Sequence, residues 1–289
     1  MKTAFAGILN NPANSLNSHS AGWNRLVRSL VDPKAVFVGE DCDWSAFDRI
    51  IINHGPNFKP GSFNIIGGIG DAVLMRLEKL AAAFDTAEVY QMDGFNLGDF
   101  LQKRLPGRYD FEGEIPFMPL PQRDKLVLGD SHSISVWPGP EYTIERRDGQ
   151  TLWGFMRDPK PADFLYLGNI DIRFHLCRQE DPLKSMHSLL DRYLQFAADC
   201  KAKVSCLLPV ESETRKIPGT GLYKGQPFYG SQADRALLVN EFNSRLIESG
   251  LDVYCWPKTW YENVEQYENE VMEPRQSVHI RPKHYASQI

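Results

Sequence analysis

Residues 48–53 read DRIIIN, with three consecutive isoleucines between polar residues. A short unbroken run of β-branched apolar residues is typical of a strand buried on both faces, as in a parallel sheet. Parallel neighbours need a crossover connection, which is usually a helix. The stretch therefore predicts that strands and helices alternate on either side of it.

The rest of the chain shows this alternation. Apolar runs predict strands at 2–9, 35–38, 88–92, 125–128, 165–167, 204–210 and 251–256. Apolar residues at helical spacing, or a run of strong helix formers, predict helices at 21–30, 72–84, 183–199 and 232–249. Together these segments predict an α/β fold with parallel sheets.

A stretch rich in proline and glycine, residues 105–123, separates two such series. It reads LPGRYDFEGEIPFMPLPQR and holds four prolines and two glycines. We interpret it as a linker between an N-terminal α/β domain at 1–120 and a second α/β domain at 121–289. An ordered surface loop inside one large domain is the alternative.

Composition and charge exclude several classes of protein. The 289 residues are 42% hydrophobic and 24% charged, which excludes a disordered chain, a collagen and a coiled coil. No apolar run approaches the roughly 18 residues that a membrane helix needs, so we expect no membrane contact. The net charge of −5 argues against a protein that binds nucleic acid mainly by non-specific electrostatics.

The cysteines and histidines point to no metal site. Five cysteines without a CxxC pair indicate neither a disulfide framework nor a zinc site of paired cysteines. The histidines are scattered, so we predict no metal and no cofactor. The N-terminal residues lack the apolar core of a secretory signal, and we expect the protein in the cytoplasm.

The first polar motif is GDSHS, residues 129–133, directly after the predicted strand at 125–128. Ser131 then sits on a sharp turn behind a glycine and an aspartate, Asp130. A serine there can expose its hydroxyl and aim its amide at a bound oxygen, as a nucleophile requires. The alternative is an ordinary Asp/Ser turn that caps the next helix.

The second polar motif is GNIDIRFH, residues 168–175, after the predicted strand at 165–167. Its alternation predicts an extended segment with Asn169, Asp171, Arg173 and His175 on one face. Four polar side chains on such a face need a hydrogen-bond network. We interpret them as an oxyanion or substrate-positioning cluster, and the alternative is a structural salt bridge between Asp171 and Arg173.

Two further segments complete the predicted site. SVHI at 277–280 supplies His279 as a general base for Ser131. The polar and aromatic segment 211–230 supplies Arg215 to a substrate lid, unless it is a solvated surface loop. Ligands of open α/β sheets bind beyond the carboxyl ends of the strands, where motifs that follow strands converge.

These motifs, in this order, resemble the SGNH (GDSL-like) hydrolase family over about residues 124–289. That family carries a GDS motif, a mid-chain Gly-x-Asn-Asp motif and a late Asp-x-x-His motif. This chain has GDSHS at 129–133, GNID at 168–171 and QSVH at 276–279. The segment GNIDIRFH is also similar to a subgroup motif that reads Gly-Glu-Ile-Asp-Cys-Arg-x-His.

The resemblance implies a flavodoxin-like sandwich with Ser131 as nucleophile and His279 as base. The amides of Ser131 and Gly168, with Asn169 nearby, would form the oxyanion hole. Two positions depart from the family pattern: Ile170 stands where the family has its oxyanion asparagine, and Gln276 where it has the aspartate that orients the histidine. Glutamine can accept a hydrogen bond but carries no charge, and Glu273 is a candidate for the orienting role.

The N-terminal part has the pattern of a Rossmann-like half. Over about residues 45–100 it resembles the N-terminal half of phage DNA β-glucosyltransferases. That resemblance implies Asp93, at the end of a predicted strand, as a catalytic base. The GGIG loop at 67–70 is a candidate phosphate cradle, although Asp71 would repel an anion, and a plain loop is the alternative.

Three functional hypotheses follow. The first is an SGNH-like serine hydrolase (esterase) or acyltransferase that acts on a small-molecule or carbohydrate ester. The second is a bacteriophage-type group transferase for DNA modification, with modified nucleic acid as acceptor and Asp93 as base. The third is a non-catalytic carbohydrate- or polymer-binding module on a hydrolase fold, which the departures at Gln276 and Ile170 favour.

Overall fold

The structure is a computed structural model, and the description covers only part of the chain. The described residues are 1–7, 28, 31–38, 42–53, 87–90, 117–118, 123–139, 141–147, 149–213, 215, 223, 225–273 and 277–287. The chain divides into two compact units, Met1–Gln122 and Arg123–Ile289.

The first unit contains a five-stranded sheet whose strands are all parallel. In spatial order the strands run β2-β1-β3-β4-β5. Their bounds are β1 Thr3–Gly7, β2 Val36–Phe37, β3 Arg49–Asn53, β4 Glu88–Tyr90 and β5 Phe117–Met118. A short 3₁₀ helix, Trp44–Ala46, precedes β3.

The isoleucine run forms the middle strand of this sheet. Ile50, Ile51 and Ile52 are all buried, and Ile51 packs in a core cluster with Phe5 of β1. Burial of consecutive residues means that both faces of β3 are covered, as a parallel sheet requires. The prediction of a buried parallel strand at 48–53 is confirmed.

The second unit contains another five-stranded, all-parallel sheet, with the spatial order β11-β10-β9-β6-β8. The strand bounds are β6 Lys125–Gly129, β8 Tyr142–Arg146, β9 Phe164–Tyr166, β10 Lys203–Ser205 and β11 Val253–Tyr254. Numbered by their order along this unit, the strands lie 2-1-3-4-5. The predicted α/β class with parallel sheets is therefore confirmed.

Two long helices and several short ones accompany this sheet. The helices are α1 Leu152–Phe155, α2 Asn169–Phe174, α3 Pro182–Cys200, α4 Gln232–Glu248, α5 Thr259–Glu262 and α6 Val264–Gln266. Shorter turns are the 3₁₀ helices Ser133–Ser135, Leu176–Arg178 and Pro282–His284 and the π-helix Tyr267–Val271. The predictions of helices at 183–199 and 232–249 are confirmed.

Side chains cap the two long helices at their N-termini. Asp181 accepts a hydrogen bond from the Lys184 amide at the start of α3. At the start of α4, Ser231 and Asp234 form a reciprocal capping box. Such caps satisfy backbone donors that have no partner inside the helix.

A small second sheet brings the C-terminal segment towards the first strand of the unit. β7 (Val136–Trp137) follows the GDSHS motif and pairs in parallel with β12 (Ala286–Ser287). An antiparallel bridge between Met272 and Ile280 closes the segment between those two residues. These pairings hold residues 272–273 and 277–280 beside the loop that follows β6.

Some sequence predictions fall differently or lie outside the described residues. Phe117–Met118 lie inside the predicted linker, yet they form β5 and pair with β4. Of the predicted helix at 21–30, only Arg28 belongs to the described residues. The predicted helix at 72–84, the GGIG loop and Asp93 lie wholly outside them.

Candidate active site

Ser131 lies just beyond the carboxyl end of β6, next to the end of β9. Gly129 and Tyr166 form the last paired positions of these strands, and the Asp130 amide donates to the Tyr166 carbonyl at 3.1 Å. A Cβ at Gly129 would collide with that carbonyl oxygen, so the close approach of the strands requires glycine. Ser131 is half-buried between the buried residues Asp130 and His132, so its side chain keeps some exposure.

His279 reaches Ser131 across 148 positions of sequence. Its Nε2 atom lies 2.9 Å from the Ser131 hydroxyl oxygen, within hydrogen-bond range. The His279 side chain is mostly buried, and its loop is held by the Met272–Ile280 bridge and the β7–β12 pair. The structure thus brings together the two residues that the sequence analysis paired as nucleophile and base.

Ser277 and Glu273 stand behind His279. The Ser277 hydroxyl oxygen lies 3.3 Å from Nδ1 of His279, and the same hydroxyl donates to the buried carboxylate of Glu273. The Ser277 oxygen also accepts the backbone N–H of His279 at 3.1 Å. A hydroxyl therefore lies between the histidine and a carboxylate, and Gln276 lies outside the described residues.

The hydrogen bonds that link Ser131, His279, Ser277 and Glu273 all donate in the same direction, from Ser131 towards Glu273. Because Ser277 donates its proton to Glu273, its oxygen is left to accept from Nδ1–H of His279. With the proton on Nδ1, Nε2 carries a lone pair and accepts the Ser131 hydroxyl proton. This is the tautomer that a general base beside a serine needs.

Gly168 and Asn169 lie at the neighbouring strand end. Gly129 and Tyr166 are the last paired residues of β6 and β9. Ser131 lies two positions after Gly129, and Gly168 lies two positions after Tyr166. Gly168 has a φ of 115°, in the left-handed region that favours glycine. The buried Asn169 side chain accepts from the Leu208 amide at 3.2 Å, while its Nδ2 has no hydrogen-bond partner among the described residues.

The segment predicted as an extended strand at 168–175 is instead the helix α2, so the prediction of alternating faces is wrong. Asp171 accepts hydrogen bonds from the backbone amides of Leu152 and Trp153, at 2.6 and 3.2 Å. It thereby satisfies amides at the start of α1. Burial raises the pKa of Asp171 to about 7, although these two amides favour the charged form.

Arg173 pairs with Glu211 and not with Asp171, so the predicted structural salt bridge is also wrong. Its guanidinium reaches both carboxylate oxygens of Glu211 at 2.7–2.9 Å, and both side chains are buried. A further hydrogen bond runs from Arg173 to the Asn169 carbonyl at 3.0 Å. The buried guanidinium of Arg235 donates to the backbone carbonyl of Glu211 at 2.8 Å.

His175 directly follows α2 and contacts an aromatic residue of the segment 211–230. Its Nε2 lies 2.9 Å from the Tyr223 hydroxyl, and the Tyr223 ring stacks on Phe174 with centroids 4.3 Å apart. Partial burial, with a smaller effect of the Arg178 charge, lowers the pKa of His175. His175 therefore favours its neutral form at neutral pH.

Arg215 holds the loop that carries His279. Its guanidinium donates to the carbonyl of Glu273 at 2.6 Å and to the carbonyl of Ser277 at 2.8 and 3.1 Å. Burial lowers the pKa of Arg215, while the carboxylates of Glu211 and Glu268 oppose that shift. Arg215 is buried, and it binds the backbone carbonyls of the same two residues whose side chains form the Glu273–Ser277 hydrogen bond.

Four residues of this arrangement were not singled out from the sequence. His132 and Ser277 lie inside the quoted motifs GDSHS and SVHI, so only their spacing to Ser131 and His279 could have marked them. Glu211 begins the predicted lid segment, and Arg235 lies in α4. No sequence signal distinguishes a buried arginine from a surface arginine in such a helix.

Comparison of the chain with protein-family models, curated proteins and solved structures finds no match. Within the described part of the chain, no three or more His, Cys, Asp or Glu side chains are grouped so as to hold a metal ion. No helix in that same part is long and apolar enough to cross a membrane.

Proposed function

We propose that the protein is a serine hydrolase or acyltransferase of the SGNH type, with Ser131 as nucleophile and His279 as general base. The observation that carries this proposal is the 2.9 Å contact between Ser131 Oγ and His279 Nε2. A nucleophile, a base in reach and a group that orients the base form the signature of activated serine chemistry. Ser277 is that orienting group here.

The carboxylate of Glu273 supports the histidine through Ser277. When His279 takes the Ser131 proton it becomes an imidazolium, and the negative charge beyond Ser277 stabilises it. In a direct Asp–His pair, replacing the carboxylate can cost about 10⁴-fold in rate. A carboxylate one hydroxyl further away stabilises the imidazolium less, since the Coulomb energy falls with distance.

The backbone amides of Ser131 and Gly168 are the proposed donors to the oxyanion. Both follow the paired strand ends by two residues, which is the basis for this assignment. The Nδ2 group of Asn169 is the third proposed donor, in place of the family asparagine that Ile170 replaces. Each such donor is worth about 10²–10³-fold in rate when it is pre-aligned.

The strand order supports the same assignment for the second unit. The order 2-1-3-4-5 is the flavodoxin-like order, in which ligands bind at the carboxyl ends where the order reverses. β6 and β9 flank that point, and GDSHS and GNID follow them. The resemblance of the three motifs to the SGNH family implies the same arrangement.

The proposed reaction transfers an acyl group in two steps. Ser131 Oγ attacks an ester carbonyl carbon while His279 Nε2 takes the hydroxyl proton. The tetrahedral intermediate then collapses, and His279 returns the proton to the departing alcohol. Water or a second alcohol, deprotonated by His279, attacks the acyl-enzyme; the bond to Ser131 Oγ then breaks, and His279 returns the proton to Ser131. Small-molecule and carbohydrate esters are the proposed substrates.

Labelling with a fluorophosphonate probe tests the proposal. We expect an adduct on Ser131 by intact mass and peptide mapping, and no adduct in Ser131→Ala or His279→Ala. Ser188→Ala and His187→Ala are matched controls, since both residues lie in α3 and His187 pairs with Glu241. The controls should label like the unmodified protein.

A properly folded protein that gives no adduct would argue against an activated serine. Retained binding of a carbohydrate or other polymer without turnover would then favour the non-catalytic hypothesis. An adduct that persists in His279→Ala would keep Ser131 as nucleophile and remove His279 from the mechanism.

A further inference from the structure

Two side-chain bridges join the described residues of the loop after β6 to those of the C-terminal loop. The first is the Ser131–His279 contact. The second runs through His132, whose Nδ1 lies 2.8 Å from the Asp130 carboxylate and whose Nε2 lies 3.1 Å from the Val278 carbonyl. Asp130 directly precedes Ser131 and Val278 directly precedes His279, so the bridges run side by side.

The partners of His132 hold its ring at both nitrogens. A carbonyl oxygen only accepts hydrogen bonds, so Nε2 must carry a hydrogen that it donates to Val278. The other nitrogen, Nδ1, lies 2.8 Å from the Asp130 carboxylate, which also accepts the His132 backbone amide at 2.8 Å. Both side chains are buried, so water does not compete for these bonds.

His132 also contacts His279 directly. The two rings lie with their centroids 4.7 Å apart and their planes tilted by 38°. His132 therefore touches the base through its ring and holds the residue before it through Nε2. Movement of the Val278 carbonyl would shift His279 relative to Ser131.

We propose that His132 is a positioning residue that sets the Ser131–His279 geometry through its hydrogen bond to the Val278 carbonyl, with Asp130 holding its ring. The proposal rests on the proposed acyl-transfer function. His132 does not touch the reacting atoms in this role; it acts through His279. A displacement of about 1 Å at a reacting group can cost about 10²-fold in rate.

Two substitutions separate the two ends of the bridge. In His132→Asn, the side-chain nitrogen of asparagine is separated from Cα by the same number of bonds as Nδ1 of histidine. The contact to Asp130 is therefore kept, and the hydrogen bond to the Val278 carbonyl is lost. In His132→Gln the amide nitrogen corresponds to Nε2, so the bond to Val278 is kept. His187→Asn, on the surface of α3, is the matched control.

Fluorophosphonate labelling kinetics provide the first readout. We expect His132→Asn to lower the maximal labelling rate of Ser131 by about 10²-fold with the probe's apparent affinity unchanged, and His132→Gln to stay within about tenfold. Equal rates in His132→Asn and the unmodified protein would overturn the proposal. With that outcome, labelling of Ser131 in the unmodified protein would still support the proposed function.

Nitrogen-15 NMR of the histidine rings provides a readout that does not need activity. We expect the His279 ring signals to move more in His132→Asn than in His132→Gln, because His132→Gln loses the ring contact but keeps the bond to Val278, while the His187 signals stay fixed in both. A merely structural His132 would lower the melting temperature without moving the His279 signals, and that result overturns the proposal. If the unmodified protein is not labelled, the proposed function fails, and these signals still decide whether His132 positions His279.

The unmodified protein offers a last check that depends on no variant. Its His132 ring should carry a hydrogen on Nε2 that exchanges slowly with solvent, because it is buried and bonded to Val278. A bare Nε2 at His132 would overturn the proposal even if His132→Asn failed to fold.

Discussion

Ser277 links the Glu273 carboxylate to His279, so that the carboxylate acts on the histidine through the Ser277 hydroxyl. Its hydroxyl accepts from the histidine ring and backbone and donates to Glu273, which uses all of its hydrogen-bonding capacity. The carboxylate therefore fixes the direction of the hydroxyl, and the hydroxyl fixes the tautomer of the ring. Removal of the charge should weaken the base while leaving the substrate contacts intact.

Glu273→Gln tests this connection. We expect the maximal labelling rate of Ser131 to fall by about 10–10²-fold, less than the roughly 10⁴-fold that removing a directly bonded aspartate costs. The probe's apparent affinity should not change. Glu268→Gln is the control, because Glu268 belongs to the same C-terminal segment but accepts from Ser212. An unchanged rate in Glu273→Gln would mean that the carboxylate does not assist His279.

Asp171 makes the stability of the protein depend on pH. Its pKa is about 7 in the folded chain, against an ordinary value near 4. Between these values the folded state keeps a proton that the unfolded state has lost, so stability falls as pH rises from about 4 to about 7. The contribution of this group is complete below about pH 4.

Asp171→Asn should flatten that dependence, because asparagine does not titrate. We expect its free energy of unfolding, measured in urea at pH 4 to 8, to lack a slope of up to about 1.4 kcal/mol per pH unit between pH 4 and 7. Asp191→Asn is the control, since Asp191 is exposed and paired with Arg245. The same slope in Asp171→Asn and the unmodified protein would contradict the assignment.

At the scale of elements, α2 is anchored by ionic and polar contacts as well as by apolar ones. Arg173 ties it to Glu211, which follows β10, and Asp171 ties it to the start of α1. Both tethers lie in the interior, where an unpaired charge is costly. They hold the loop of Gly168 and Asn169 against the sheet beside Ser131.

Arg173→Met should be strongly destabilising because it leaves the Glu211 carboxylate buried without its bidentate partner. Loss of one partner of a buried ion pair typically costs about 3–5 kcal/mol. The matched control Arg245→Met breaks the exposed pair with Asp191 and should cost no more than about 1 kcal/mol. Urea unfolding measures both values, and equal losses in the two variants would contradict this account.

The same element shows why a short polar motif misleads when it is interpreted alone. Residues 168–175 alternate polar and apolar side chains, which is the pattern of a strand. Six residues are too few for the helical period to stand out, and the left-handed Gly168 starts α2 where a strand would continue. The partners that allow Asp171 and Arg173 to be buried, the Leu152 amide and Glu211, are distant in sequence.

At the scale of the whole molecule, each unit has its own all-parallel sheet. Every described residue of the candidate site lies in the second unit, Arg123–Ile289. Its core includes buried residues from β6, β9, α3 and α4, among them Leu128, Leu165, Leu190 and Phe242. A core of this kind is what an independently folding domain requires.

A chain that contains only residues 123–289 should therefore fold and react. We expect cooperative thermal unfolding and fluorophosphonate labelling of Ser131 at about the rate of the full chain. The Ser131→Ala version of the same fragment is the control. A fragment that folds but does not label would contradict the assignment of the candidate site to this unit alone.

The sequence by itself determined where most of the strands and the two long helices lie, and hence the α/β class. Whether a strand or a helix face is buried depends on how apolar residues are spaced along the sequence, and that spacing can be read directly. It also identified Ser131, His279 and Glu273 as candidates through residue type and motif order. Only the tertiary structure decided that Ser131 meets His279, that Ser277 stands between His279 and Glu273, and that Arg173 pairs with Glu211. These contacts depend on strand order and on the β7–β12 pairing, which bring together residues far apart in sequence. The local spacing of apolar residues does not predict such long-range contacts.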